Sequence, residues 1–355
     1  MSNRHSISQD EDGDELHSYR GRTRERAKEL ERTRTRIKSG KSLADGVLQG
    51  TVMTAMGPHW LVAVGSVVYV CTVSGTVECP HTSTIVTVGD IVWLVPDPAG
   101  TQHGDPAATI VRVEERRTLL SRKAAGRAQR EQVVVANVDQ LCIVMAAALP
   151  TYNKRLIDRY LIAADKGDLR PIICINKIDL MPEDVLGDLH DDFSTYLALD
   201  IPVIFVSAAK NRGLDMLRAE LGHCSTLLSG PSGVGKSSII NLLSDARQQV
   251  GAISEKYLKG RHTTTAATSI PLPDGGWVVD SPGLREFAIW ELTADELPYY
   301  FEEFAPFAQE CRFNPCSHTH EPGCRVKAAV EAGELDPERY ESYLNILDTI
   351  MLERP

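Results

Sequence analysis

LLSGPSGVGKSSIINLL, residues 227–243, carries an apolar strand into a glycine loop and then into a helix. Gly230, Gly233 and Gly235 let the backbone curl so that successive N–H groups face phosphate oxygens, and the dipole of the helix starting near Lys236 adds to the attraction. The residues expected to meet a nucleotide's phosphates are Gly230, Ser232, Gly233, Val234, Gly235, Lys236, Ser237 and Ser238. Lys236 is placed to bridge the β and γ phosphates, and the Ser237 hydroxyl to bind Mg2+, which keeps mostly water and phosphate oxygens as its other ligands. The loop alone does not name the base, and the same string would suit a guanylate kinase.

The base is addressed upstream, by NKID at Asn176 to Asp179 after the apolar run PIICI. A carboxylate at Asp179 accepts from both the ring N–H and the exocyclic amine of guanine. Adenine offers an acceptor and no amine there, which would leave buried polar atoms unpaired. Asn176 is expected at the opposite edge of the base and Lys177 along its face. VSAAK at 206–210 reads as the partner loop, with Ser207 and the Ala208 N–H toward the guanine oxygen. Each tetrapeptide is weak alone, since an Asn-Lys pair before aspartate is also ordinary helix-start chemistry. With the phosphate loop they point to GTP and GDP.

Further along, VVDSPG at 278–283 has the form of a loop whose aspartate, Asp280, holds Mg2+ through water and whose Gly283 N–H reports the γ phosphate. Between these segments, KGRHTTTAAT at 259–268 suits a switch that orders when a threonine reaches the metal. Spacing favours Thr264, with Thr263 and Thr265 as near-equals. The boxes therefore run base, base, phosphate, switch, switch, a circular permutation of the usual GTPase order. A parallel sheet tolerates this, because its strands are held by neighbours in space and the old termini can be joined. The second switch now runs directly into the C-terminal region.

The rest of the 355-residue chain arranges itself around this centre. Residues 1–43 have almost no apolar periodicity and read as a disordered charged arm. Net charge is −4 over residues 1–15 and +7 over 16–41, against −10 for the whole chain. Affinity for RNA, if any, must come from local segments such as YRGRTRERAKELERTRTRIKSGK, although such arms are often merely solvated. Short β-rich runs over 44–118 are spaced like a five-stranded oligonucleotide-binding barrel, the lesser alternative being a barrel that serves only as a structural spacer. A basic connector spans 112–130, and from about Val133 apolar strands alternate with helices. The expected class is α/β: a permuted P-loop GTPase domain over 119–290, with a parallel sheet covered on both faces and its ligand at the strands' carboxyl ends. The longest apolar run, LCIVMAAAL, is about half of what a bilayer-spanning helix needs, so no membrane partner is expected and the cytoplasm is. Cys71, Cys142, Cys174 and Cys224 lie in strand-like runs as small hydrophobes, which fits a reducing compartment.

CRFNPCSHTHEPGC at 311–324 places Cys311, Cys316, His318 and Cys324 in a loop too short to fold on hydrophobic burial. Three thiolates and an imidazole match the tetrahedral preference of one structural zinc ion, with a closed shell and no catalytic role. His320 is the substitute fourth ligand. The zinc-binding unit is expected over 291–355, its last helix opening at Asp336-Pro337.

ANVDQLCIV, NKIDL, GPSGVGKSSIINLL, GRHTTTAA and DSPGLREF, in this permuted order, closely resemble the ribosome small subunit-dependent GTPase A family, from about Gly46 onward. The resemblance implies a barrel, a permuted GTPase and a zinc domain, in a protein that binds the small ribosomal subunit late in its maturation and leaves after hydrolysing GTP. It also selects His318 as the zinc ligand. One departure is visible: CTVSGTVECPHTS in the barrel lacks the family's usual arginines and lysines, which puts rRNA contact by that face in doubt. The position that in many GTPases holds a water-orienting glutamine is Leu284 here. His262 is the candidate for that role, and the resemblance implies the same for a histidine in this loop; the alternative is that His262, beside Arg261, touches RNA phosphate. The expectation is thus a monomeric GTPase, slow alone and stimulated by the subunit. A nucleotide-dependent RNA-binding placeholder is the second reading, and guanylate kinase chemistry the third, since no second nucleotide pocket is legible.

Overall fold

The computed structural model describes residues 46–80, 83–102, 104–124, 130–244, 267–273, 275–280 and 289–352. The N-terminal arm lies outside the described residues, as do His262, Thr263, Thr264, Thr265 and Gly283.

Five strands form the N-terminal unit: β1 (Leu48–Met56), β2 (His59–Val64), β3 (Val67–Glu78), β4 (Ile91–Gln102) and β5 (Asp105–Val113). They pair in the order β1-β2-β3-β5-β4, and β4 returns to β1, so the sheet closes on itself. All contacts are antiparallel except β3 with β5. This is the oligonucleotide-binding barrel topology that the strand spacing predicts. Alternate residues fill its interior, among them Val52, Val62, Cys71, Leu94 and Ile110.

The same sheet continues from β1 into a second section, made of β8 (Gln140–Ala146), β9 (Arg170–Asn176), β10 (Val203–Phe205), β11 (Ser225–Ser229), β12 (Thr268–Pro271) and β13 (Trp277–Asp280), in the order β10-β9-β8-β11-β13-β12. Its first five members are parallel, and β12 runs antiparallel between β13 and β1. Every residue of β8 is buried. Leu141, Ile143 and Met145 face one apolar cluster, while Cys142, Val144 and Ala146 face another. A strand covered on both sides cannot alternate with polar residues, which is why it reads as a continuous apolar run. Cys142 and Cys174 belong to this packing, and all described cysteines are free thiols. Helices α1 (Lys154–Lys166), α2 (Leu186–Asp191), α3 (Ser194–Ala198), α4 (Leu214–Leu221) and α5 (Lys236–Leu243) follow or join the strands.

The basic connector is more structured than its composition implies. Its flanks form β6 (Leu119–Lys123) and β7 (Glu131–Ala136), a separate antiparallel hairpin. Charges interrupt the alternation of these strands, and their partners lie elsewhere: Ala136 N–H donates to Val88 O of the barrel (2.9 Å), and Arg122 bridges Ile289.

The C-terminal unit holds α6 (Ala305–Ala308), α7 (Arg325–Glu331) and α8 (Pro337–Leu352). As expected from Asp336-Pro337, the Asp336 carboxylate accepts from Glu338 N–H (2.8 Å) with proline in the first turn. Phe301, Phe304 and Tyr343 form an aromatic core that also takes in Ile162 of α1. Arg339 of α8 reaches across to Asp158 of α1. Among the described residues, no helix is long and apolar enough to cross a membrane.

Candidate functional site

Every described member of the nucleotide motifs sits at the carboxyl ends of the parallel strands. The phosphate loop leaves β11 at Gly230, where φ is 147°, and a Cβ there would lie 2.0 Å from Val144 O of the neighbouring strand. At Gly235, with φ of 98°, a Cβ would lie 2.3 Å from the Asn176 amide nitrogen. Both positions combine a left-handed backbone with no room for a side chain, so only glycine fits. Ser232, Gly233, Val234, Ser237 and Ser238 complete the loop and the first turn of α5.

Lys236 folds back over the loop, its ammonium donating to Gly230 O (2.7 Å) and Pro231 O (2.8 Å). Burial pushes the Lys236 pKa down, and the Asp280 carboxylate pulls it partly back. Asp280, the last residue of β13, shows the converse: burial raises its carboxyl and Lys236 opposes the rise. An ammonium and a carboxylate thus face one electrostatic environment, as an anionic phosphate group with a divalent ion requires.

The base motif is tied to this loop by hydrogen bonds. Asn176, 2% exposed at the end of β9, donates through Nδ2 to Val234 O (2.8 Å) and accepts through Oδ1 from Ala208 N–H (3.0 Å). Ser207 Oγ donates to the Asp179 carboxylate and accepts from Lys210 N–H (3.0 Å). Lys177, at φ 63°, reaches Leu149 O in the loop after β8. Asn176, Lys177, Asp179, Ser207 and Ala208 therefore form one connected cluster with Val234 of the phosphate loop. The bracing role of Asn176 has no signature in the motif, because Val234 and Ala208 are 58 and 32 residues away. Tyr160 of α1 is a further unforeseen neighbour, lying 3.3 Å from Ser229 Oγ just before the loop. A buried tyrosine in an amphipathic helix reads simply as core.

In the C-terminal unit, the ligand atoms of Cys311, Cys316, His318 and Cys324 all lie within 4.8 Å of one another. His318 Nδ1 is 3.7 Å from Cys311 Sγ and 3.5 Å from Cys324 Sγ, and the two sulfurs are 4.0 Å apart. Tetrahedral zinc with Zn–S of about 2.3 Å and Zn–N of about 2.05 Å needs ligand separations of roughly 3.5–3.8 Å. The cluster is already near that size. His320 lies outside it, with Nδ1 against Thr319 Oγ1 (2.8 Å). Tyr340 and Tyr343 hydroxyls donate to His318 O and Ser317 O (2.7 and 2.6 Å), holding the loop on α8.

The chain is similar to known proteins over most of its length. Residues 113–290 match the model of the RsgA GTPase family. The small ribosomal subunit biogenesis GTPase RsgA of Chlorobaculum parvum is 43% identical over 310 residues, covering 85% of this chain and 98% of that protein. Its namesake in Gemmatimonas aurantiaca is 42% identical over 272 residues, 76% of this chain and 86% of that one. The crystal structure of YjeQ from Thermotoga maritima superposes with a TM-score of 0.66 at 31% identity, covering 87% of this chain and all of the other. That of YloQ, described as a circularly permuted GTPase, gives 0.65 at 26% identity over 89% of this chain and 99% of the other.

Proposed function

Since the chain belongs to the RsgA GTPase family and is a GTP hydrolase, we propose that it binds the small ribosomal subunit late in that particle's maturation and that the subunit stimulates its turnover. The observation that carries the nucleotide part is the set of contacts Asp179–Ser207 and Ala208–Asn176–Val234, which ties the base loop to the phosphate loop despite their reversed order, as recognition of one nucleotide by both would require.

In this reading Asp179 accepts from guanine, with Ser207 holding its carboxylate, and Lys177 lies along the base. Asn176 braces both loops, which keeps the distance between base and phosphate sites fixed. Lys236 neutralises charge that builds on the β and γ phosphates, and the loop N–H groups from Gly230 to Ser238 hold the rest of the chain of phosphates. Ser237, Asp280 and Thr264 would hold Mg2+, which when bound supplies charge neutralisation between the β and γ phosphates. Gly283 reports the γ phosphate, and His262 orients the attacking water by position. Cys311, Cys316, His318 and Cys324 would hold one structural zinc ion.

The corresponding division is an arm over 1–43, a barrel over 44–118, the GTPase over 119–290 and the zinc unit over 291–355, in a monomeric cytoplasmic protein. Within the five strands of the barrel Arg112 is the single lysine or arginine, and it lies 3.6 Å from Glu114, while Arg116 beyond them is buried against Asp90 at 2.8 Å. Contact with rRNA therefore falls to the arm and the basic connector rather than to barrel cations. The test is the GTPase rate of the full chain against small subunits, large subunits and free RNA. Acceleration by small subunits alone supports the proposal, and equal rates in all three defeat it.

A further inference from the structure

The barrel and the GTPase sheet are one continuous sheet, joined among the described residues at one pair. Strand β1 of the barrel pairs with β12 at Thr54 and Thr268. Thr268 in turn lies opposite Asp280 on β13. Thr54, Thr268 and Asp280 thus sit abreast on three adjacent strands, the first in the barrel and the last among the proposed magnesium residues.

Thr54 is a buried polar residue of the barrel. It is 6% exposed, and its hydroxyl donates to Ala267 O (2.9 Å) while lying 3.3 Å from Thr268 Oγ1. The carbonyl it holds is three residues beyond Thr264 in sequence. This buried side chain, bonded across 213 residues, fixes the start of β12 against the barrel. Removing the hydroxyl would leave Ala267 O buried without this donor.

We propose that Thr54 is a positioning residue for Asp280: through its bonds to Ala267 and Thr268 the barrel sets the register of β12 beside Asp280, so that docking of the subunit on the arm that leads into β1 is read at the nucleotide's γ phosphate. Coupling of this kind is reciprocal, and γ-phosphate binding strengthens the chain's hold on the subunit by the same factor. The inference rests on the reading that small subunits stimulate turnover, and it names the route.

The test compares wild-type full chain with Thr54→Val and Thr54→Ser. Affinities for GDP and for a non-hydrolysable GTP analogue are measured without ribosomes, and GTPase rates with and without small subunits. In Thr54→Val, GDP affinity and subunit-free turnover stay within two-fold of wild type. The preference for the GTP analogue over GDP falls about ten-fold, as expected for one buried hydrogen bond, and subunit-stimulated turnover falls with it. Thr54→Ser, which keeps the hydroxyl, restores both. An analogue-to-GDP ratio unchanged in Thr54→Val overturns the inference, and so does an equal loss of GDP affinity, which would mark a general packing defect. Absence of stimulation in wild type would count against the proposed function, whereas the nucleotide ratio judges Thr54 independently.

Discussion

Replacing Arg339 by methionine, which keeps much of its length, should separate the C-terminal unit from the GTPase domain. The guanidinium is 5% exposed and donates to Asp158, itself 1% exposed, and to Glu303 (2.7 Å). Its carbon Cζ lies 4.5 Å from the Phe301 ring centre. Burial works against charge at both partners: it pushes the Asp158 carboxyl up and the Arg339 pKa down, and their mutual attraction, with help from Glu303, keeps the arginine protonated. Taking away the cation leaves two carboxylates poorly solvated. Removing one partner of a buried pair costs about 3–5 kcal/mol, a large fraction of the roughly 5–15 kcal/mol that stabilises a typical domain. The expected result is a two-step urea unfolding curve in Arg339→Met: loss of the Phe301–Tyr343 packing at low urea, reported by near-ultraviolet circular dichroism, then loss of bound fluorescent GDP at the wild-type concentration. Adding Asp158→Leu should recover much of the loss, because an apolar pair does not need a counter-charge. A single transition with less than about 1 kcal/mol of destabilisation in Arg339→Met would refute the reasoning.

Asp179→Asn should weaken GTP binding by about 100-fold, the worth of a buried charge-assisted contact, while improving xanthosine triphosphate, whose second carbonyl accepts from the new amide; equilibrium titration of both nucleotides checks the exchange. His262→Ala should keep GTP affinity and lose most subunit-stimulated turnover, which single-turnover hydrolysis would show; an unchanged rate assigns the histidine elsewhere. Metal analysis should find one zinc per chain in wild type and little in Cys316→Ser, with the mutant's loop 311–324 opened to protease and its GDP affinity intact.

Much of this protein is written locally. The phosphate loop, NKID, the zinc ligands and the Asp336-Pro337 helix start are legible because each function needs particular residue types at short, fixed spacing. Their order was enough to infer a permuted sheet, since strands alternating with helices have few ways to cover an apolar sheet on both faces. Other features depend on residues distant in sequence, and no window of sequence contains them. Asn176 bracing Val234 and Ala208, the hairpin made from the basic connector, Arg339 closing on Asp158, and Thr54 meeting Ala267 all arise when the closed barrel, the parallel sheet and the C-terminal helices pack together. A buried polar group must find a partner, but which partner is decided only by what the fold brings within about 3 Å. The sequence alone therefore determined which chemistry the chain carries, and the tertiary structure decided how its three units are held to that chemistry.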